Sequence, residues 1–366
     1  MTTVSPVPRT GHPYHMYEAI HAQPDAVADC LRRHRQTAER VAEAIAARRR
    51  FLLAGIGTSF HAATVGEGLV CLLSGHRADA RAVHSFELVH YGHLGPHDAL
   101  LVVSHRGTKT FSMQALEAGR RAGALCVAVT GLGHGATMDQ ADVVLETVPQ
   151  EASGAHTVSY TTAMATLALL ALALARRAGA APEAEARALE ALPGLLRRAL
   201  ALEPRCREVA ERFAGYRRFL FMGAGPNTAT AWEVGLKMKE ASYTQAEGLH
   251  LEQALHGPPP SFGPETVITA IAPPGPGRER AVALLRAARA VGAPTLALGA
   301  EEDAPLAAEA DHALLLPAVP EALSPIVYVV PLQLLTYYSA LARGTNPDLL
   351  RREDPTYAQM HAQFRL

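Results

Sequence analysis

Three charged side chains lie at helical spacing in the second half of the chain. Glu233, Lys237 and Glu240 fall at i, i+4 and i+7, so a helix places them on one face. A carboxylate one turn from an ammonium can accept and return a proton while the cation holds a developing oxyanion. The same spacing is also typical of a solvated ladder of salt bridges, and spacing alone does not separate the two interpretations.

A strand and a tight turn are predicted to position this helix. Residues 219–222 are apolar, residues 223–225 read Gly-Ala-Gly, and good helix formers follow. Open α/β folds bind ligands beyond the carboxyl ends of their strands, where this charged face would begin. His256 follows on a stiff His-Gly-Pro-Pro turn, and a histidine can move a proton in either direction near neutrality.

Loops in the first half carry groups suited to an anion. Residues 57–59 read Gly-Thr-Ser at a strand-to-helix turn, where backbone N–H groups and hydroxyls can hold a phosphate, although Ser59 could equally be an ordinary N-cap. Residues 104–110, Ser-His-Arg-Gly-Thr-Lys-Thr, supply donors suited to a dianion, or form a solvated loop. The candidate anion ligands are Thr58, Ser59, Ser104, His105, Arg106, Gly107, Lys109 and Ser153.

The chain repeats itself at a nearly constant offset. Residues 49–57 match residues 217–225 at an offset of 168, and residues 122–131 match residues 291–300 at an offset of 169. This pattern indicates a duplicated domain, and the two halves are called copy one and copy two. The predicted strands are 51–54, 98–104, 124–130 and 142–147 in copy one, and 219–222, 266–272, 294–299 and 312–316 in copy two. Strands that alternate with helices predict an α/β fold with two doubly wound parallel-sheet domains.

Segments outside the strands complete the expected organisation. A disordered arm is predicted over 1–12, and a helix over 13–48 that breaks into two pieces at Gln23-Pro24-Asp25. The expected boundaries are 1–195 for the arm and first domain, 196–345 for the second domain, and 346–366 for a tail that closes over the site.

Composition excludes several classes of function. The 366 residues are 49% hydrophobic and 19% charged with a net charge of −1, which predicts a soluble globular protein without a nucleic-acid partner. The four cysteines are far apart, so neither a disulfide framework nor a zinc site is expected, and a reducing cytoplasm fits best. The longest apolar stretch, 161–175, is judged too short and too rich in alanine to span a membrane.

These motifs resemble tandem sugar-isomerase (SIS) domain proteins over nearly the whole chain. The resemblance extends to the isomerase domain of glutamine–fructose-6-phosphate aminotransferase, the glucosamine-6-phosphate synthase. It is carried by residues 16–20, the Gly-Thr-Ser turn at 57–59, the Ser-x-x-Gly loop at 104–107, Leu-Lys-Met-Lys-Glu at 236–240 and His-Gly-Pro at 256–258. It implies two flavodoxin-like domains and no metal or organic cofactor.

The resemblance also implies roles for particular residues. Glu240 would shuttle a proton between C1 and C2 of a phosphosugar, and Lys237 would lie near the sugar oxygens. His256 would open the sugar ring from the neighbouring subunit of a homodimer. Thr58, Ser59 and the loop at 104–109 would bind the phosphate, with Ser153 of the loop at 151–157 as a further contact.

The departures from this family keep alternatives open. No glutaminase domain and no cysteine after Met1 are present, so glutamine is not expected to supply ammonia. Arg352 aligns with the family's tail lysine, and an arginine forms no Schiff base at ordinary pH. The expected function is aldose–ketose isomerisation of a hexose or hexosamine phosphate. A deaminase or deglycase of an amino-sugar phosphate and a sugar-phosphate regulator without turnover are the alternatives.

Overall fold

The computed structural model describes residues 7–364, which divide into two compact units. The first unit contains Gln23–Gln150 and Val158–Pro193, and the second contains residues 7–22, Glu151–Thr157 and Gly194–Phe364. Part of the expected disordered arm lies outside the described residues. Within the described part, Arg9 donates hydrogen bonds to the Pro13 carbonyl and to Glu18.

Helix α1 (His15–Ala46) is continuous, so the predicted break at Pro24 is wrong. Proline inside a helix costs about 3 kcal/mol because it removes a hydrogen bond and crowds the preceding turn. Met16, Ile20 and Val27 are fully buried at helical spacing, and this packing offsets the local cost.

The first unit is built on a five-stranded parallel sheet in the order β2-β1-β3-β4-β5. Its elements are β1 (Arg50–Gly55), α2 (Thr58–Leu73), β2 (Arg81–His84), α3 (Ser85–Tyr91), β3 (Asp98–Ser104), α4 (Thr110–Arg121), β4 (Leu125–Leu132), β5 (Val143–Pro149), α5 (Val158–Arg177) and α6 (Glu183–Leu200), which runs into the second unit. Every residue of β3 is buried, as its apolar sequence predicts. Helix α2 packs against α5, and α3 packs against α4.

The second unit repeats this sheet, with β7, β6, β8, β9 and β10 in that order. Its elements are α7 (Glu203–Arg212), β6 (Arg218–Gly223), α8 (Asn227–Ser242), β7 (Gln245–His250), α9 (Leu251–Leu255), β8 (Thr266–Ile271), α10 (Arg278–Ala290), β9 (Thr295–Ala300), α11 (Ala304–Ala308), β10 (His312–Leu316), α12 (Ser324–Ala342) and α13 (Pro355–Ala362). The predicted doubly wound fold is confirmed. Strands β2 and β7 and helices α3 and α9 were not predicted.

Within residues 7–364, two segments are long and apolar enough to cross a membrane, Val158–Arg177 and Glu321–Ala342. The prediction that the first is too short is therefore wrong, because the helix extends beyond the apolar run in the sequence. All of its best apolar window and 83% of the other segment's are buried within the protein. That burial is typical of core helices.

Candidate functional site

Helix α8 carries the charged triplet and begins at a turn that requires glycine. A Cβ atom on Gly223 would lie 2.1 Å from the Asn227 carbonyl oxygen, so no larger residue fits at the end of β6. The helix packs against β7 and α12, and it ends at Tyr243 in the left-handed conformation, with φ of 55°. Packing on several sides fixes the direction of each side chain along α8.

The triplet forms a compact ion cluster. The Lys237 Nζ atom lies 3.3 Å from Glu233 Oε1 and 2.5 Å from Glu240 Oε2. The side chains of Glu233 and Lys237 are 0% and 2% exposed, whereas that of Glu240 is 24% exposed. The interpretation as a solvated ladder is therefore wrong for Glu233 and Lys237, and Glu240 is the member accessible from solvent.

Charge pairing explains how an ammonium is held in this interior. Burial disfavours the charged form of Lys237, but attraction to Glu233 and Glu240 outweighs it and raises the pKa of Lys237. A permanent cation beside Glu240 holds that carboxylate in one orientation. The pair can therefore accept a proton on oxygen and stabilise negative charge that develops nearby.

His256 lies immediately after α9 on an exposed turn. Its Nε2 atom is 3.0 Å from Glu252 Oε1, and the side chain is 69% exposed. Arg280 donates to both oxygens of Glu252, at 2.8 and 2.7 Å. Hydrogen bonds from Arg280 first and from His256 second lower the pKa of Glu252 to about 2. The carboxylate thus stays ionised and orients the imidazole.

The predicted anion loop lies in the first unit and is fixed through its carbonyl groups. The carbonyls of Ser104, His105 and Arg106 accept hydrogen bonds from Thr130 Oγ1, from the Gly131 amide and from the Gly135 amide, respectively. Gly107 adopts a φ of 61°, and a Cβ there would lie 2.7 Å from Met138. The side chains of Arg106, Thr108 and Lys109 are exposed beyond this anchored backbone.

Helix α2 begins at Thr58, and Gly57 is its N-cap without a side-chain capping bond. The alternative in which Ser59 is the N-cap is therefore wrong. A Cβ on Gly55 would lie 2.4 Å from the Ser59 backbone, which explains the glycine at the end of β1. Thr58 and Ser59 occupy the first turn of α2, where N–H groups have no partner within the helix.

The remaining candidates lie in the second unit. Ser153 is buried, and its hydroxyl accepts from the Ala155 amide at 3.2 Å. Arg352 is exposed in the tail, ahead of α13. The structure brings Lys237 and Glu240 into direct contact and places Thr58, Ser59, Ser104, His105, Arg106, Gly107 and Lys109 in the first unit.

Sequence reasoning did not select Glu233 or Asp348 as site residues. Glu233 appeared as the first residue of a charged stripe, and its burial could have been anticipated only from the packing of α8 on two neighbours. Asp348 lies in an Asn-Pro-Asp segment with no signal for its long-range contacts. Among the described residues, no three His, Cys, Asp or Glu side chains converge as metal ligands.

Two five-stranded parallel sheets with a buried Lys–Glu pair on one of their helices define a duplicated α/β protein of the sugar-isomerase class. A model of the SIS domain matches residues 44–173 and 213–343, and the chain belongs to this family.

Similar proteins agree with this assignment. The glutamine–fructose-6-phosphate aminotransferase (isomerizing) of Thermococcus kodakarensis is 33% identical over 351 residues, which are 94% of this chain and 58% of that protein. The chain thus spans a little over half the length of this relative. The C-terminal domain of glucosamine-fructose-6-phosphate aminotransferase from Francisella tularensis has a TM-score of 0.81 at 20% identity and covers 92% of this chain and 99% of that one. Tagatose-6-phosphate ketose/aldose isomerase from Escherichia coli has a TM-score of 0.77 at 20% identity, with 95% and 98% covered.

Proposed function

We propose that this chain is a phosphosugar isomerase that interconverts an aldose and a ketose form of a hexose or hexosamine phosphate. The contact of 2.5 Å between Lys237 Nζ and Glu240 Oε2 is the observation that carries this proposal. Isomerisation through an enediol needs one base that takes and returns a proton and one cation that stabilises the oxygen. Neither step needs a metal or an organic cofactor.

In the proposed reaction, Glu240 removes a proton from the carbon next to the carbonyl. The electron pair of that C–H bond forms the enediol double bond, the carbonyl π electrons move onto oxygen, and that oxygen takes a proton from solvent. Glu240 then returns its proton to the former carbonyl carbon, and the other hydroxyl loses its proton to solvent as the new carbonyl forms. Lys237 keeps Glu240 oriented and stabilises charge on the oxygens.

The phosphate group would bind at Thr58, Ser59 and the loop at 104–109. The exposed Arg106 and Lys109 side chains give this loop two cations. Copy two has Pro273, Pro274 and Gly275 at the matching offset, and proline offers no backbone donor. We therefore propose that phosphate binds in copy one and not in copy two.

We further propose a cytoplasmic homodimer in which the partner subunit supplies the histidine that opens the sugar ring. The exposure of His256 and its bond to Glu252 support this arrangement. Two inactive variants, Glu240→Gln and His256→Asn, should recover activity when mixed and refolded together, because one site of each mixed dimer then holds both native groups. A mixture of Glu240→Gln with Glu240→Ala is the matched control and should stay inactive. Failure of the first mixture to recover activity would contradict the shared site.

A panel of hexose and hexosamine phosphates, assayed for both ketose formation and ammonia release, tests the function itself. Ketose formation without ammonia supports the isomerase. The same Glu240–Lys237 pair could serve an amino-sugar-phosphate deaminase or deglycase, because proton transfer at C2 also precedes loss of an amine. Ammonia release would select that alternative, and binding without turnover of any substrate would select a regulator.

A further inference from the structure

Asp348 joins three separate segments of the second unit. Its side chain is buried, with the residue 5% exposed. One carboxylate oxygen accepts from the His15 amide at 2.9 Å, and the other accepts from the Met16 amide at 2.8 Å. These amides belong to the first turn of α1, where N–H groups have no partner within the helix. Asp348 is therefore a capping residue supplied by a distant part of the chain.

The backbone of Asp348 makes a second connection. Its carbonyl oxygen accepts from the Gly154 amide at 2.8 Å. A Cβ atom on Gly154 would lie 2.8 Å from that same oxygen and 2.8 Å from Leu350 Cγ. The loop Glu151–Thr157 thus rests directly on the segment around Asp348, and only glycine permits this approach.

Hydrogen bonds within the loop Glu151–Thr157 hold its residues together, so a displacement at Gly154 is transmitted to the rest of the loop. Both carboxylate oxygens of Glu151 accept from the Thr157 amide, at 3.1 and 2.9 Å. Inside the loop, the Ser153 hydroxyl accepts from the Ala155 amide. A shift at Gly154 therefore moves Ser153 and the neighbouring backbone together.

The tail leaves Asp348 along a constrained path. Leu350 and Arg351 are both left-handed, with φ of 53° and 60°, a conformation that side chains with a Cβ rarely adopt. The Tyr243 hydroxyl accepts from the Arg351 amide at 2.9 Å. Tyr243 is the residue that ends α8, so the tail is tied to the helix that carries Lys237 and Glu240. Arg352 follows directly.

We propose that Asp348 is a positioning residue that sets the loop Glu151–Thr157 and the Arg352-bearing tail in one fixed arrangement for phosphosugar turnover. This inference rests on the proposed function. If Asp348 served only to cap α1, its loss would lower stability and leave the kinetic constants of the folded protein unchanged. Capping and positioning use different atoms of Asp348, the carboxylate and the carbonyl, so two variants separate them.

Gly154→Ala tests positioning without touching the carboxylate. It should push the loop from the tail, lower kcat/KM at least tenfold and also lower the melting temperature, because the backbone must shift to admit the Cβ, so the kinetics are measured well below the melting temperature of every variant. Gly263→Ala is the matched control, because a Cβ there meets nothing within 4 Å, and it should retain native kinetics. Asp348→Asn should lower the melting temperature, because an amide nitrogen cannot accept from a backbone N–H. It should also lower kcat/KM, because loss of the cap lets the backbone at residue 348 move away from the Gly154 amide.

Hydrogen exchange of the Gly154 and Arg351 amides gives a readout independent of catalysis. Both amides should exchange faster in Gly154→Ala and in Asp348→Asn than in Gly263→Ala. Native kcat/KM in Gly154→Ala, or unchanged exchange at both amides, would overturn the positioning role. A native protein that turns over no phosphosugar, with the exchange differences as expected, would instead contradict the proposed function and leave the junction itself supported.

Discussion

The two copies keep glycine at two matching strand-to-helix turns but place different charges beside one of them. Gly57 and Gly107 in copy one correspond to Gly225 and Gly275 in copy two, each at an offset of 168. Around Gly107, copy one exposes Arg106 and Lys109. In copy two, the Glu321 carboxylate lies against Gly275, and a Cβ atom on Gly275 would lie 2.8 Å from that carboxylate. The duplicated fold has thus kept these glycines, with two cations beside one and a carboxylate beside its counterpart.

A second pair of matching positions shows the same divergence. His84 and His250 both cap the following helix by accepting from an amide two residues on, with nearly identical backbone angles. Six residues later come His90 and His256. His90 packs edge-on against Phe111, with ring centroids 5.5 Å apart, whereas His256 bonds to a carboxylate in solvent. One histidine packs against an aromatic ring, and the other is hydrogen-bonded to a carboxylate, as the proposed ring opening needs.

Replacing Glu240, the proposed base in copy two, should have the largest effect. Glu240→Gln keeps the shape and removes the basicity, so proton exchange at C2 of a bound hexose phosphate should fall roughly 10²–10⁴-fold. Deuterium wash-in at C2 measures this rate. Glu247→Gln, on the exposed face of β7, is the control and should exchange at the native rate. A native rate in Glu240→Gln would move the base elsewhere, with His256 as the next candidate.

Removing the two cations of the loop at 104–109 should have the next largest effect. Arg106→Ala and Lys109→Ala should each raise the KM for a phosphosugar by roughly 10- to 100-fold, because a hydrogen bond to a charged group contributes about 1.5–3 kcal/mol. Proton exchange in the bound state should change little. Arg121→Ala, exposed at the end of α4, provides the comparison. An unchanged KM in both loop variants would show that the phosphate binds elsewhere.

Replacing Glu321, the carboxylate beside Gly275 in copy two, should have the smallest effect. The side chain of Glu321 makes no hydrogen bond or ion pair to any residue within 7–364, and burial raises its pKa. The raised pKa therefore adds to the free energy of unfolding in full below the ordinary glutamate pKa. This contribution of Glu321 is lost as the pH rises through its elevated pKa. Glu321→Gln should unfold at a slightly higher temperature than the native protein at pH 7, with the difference shrinking toward pH 4. Thermal melts at both pH values measure it, and Glu279→Gln on α10 is the control. A lower melting temperature in Glu321→Gln at pH 7 would indicate a favourable ionised carboxylate.

Much of the fold was predictable, because apolar strands such as β3 in copy one and β8 in copy two recur at a constant offset in the sequence. Strands β2 and β7 were missed for a physical reason. They lie at the sheet edges, where half-exposed residues such as Arg81 and Glu247 interrupt any apolar run. They form strands because they pair with β1 and β6, and their local sequence does not reveal that pairing.

The candidate site was predictable in part. The spacing of Lys237 and Glu240 predicted their contact, because helix geometry is local. The burial of Glu233 depends on β7 and α12, and the role of Asp348 depends on a loop and a helix far away in sequence. Tertiary contacts of that kind leave no periodic pattern to read.

The cap on α1 has a consequence for how the chain is made. His15 and the aspartate that satisfies its amide are separated by 333 residues, so the first turn of this helix stays uncapped until residue 348 has left the ribosome. All segments of the first unit lie between Gln23 and Pro193 and are synthesised before the cap. During translation, that unit can complete its sheet first, and the start of α1 acquires its cap only after residue 348 has been synthesised.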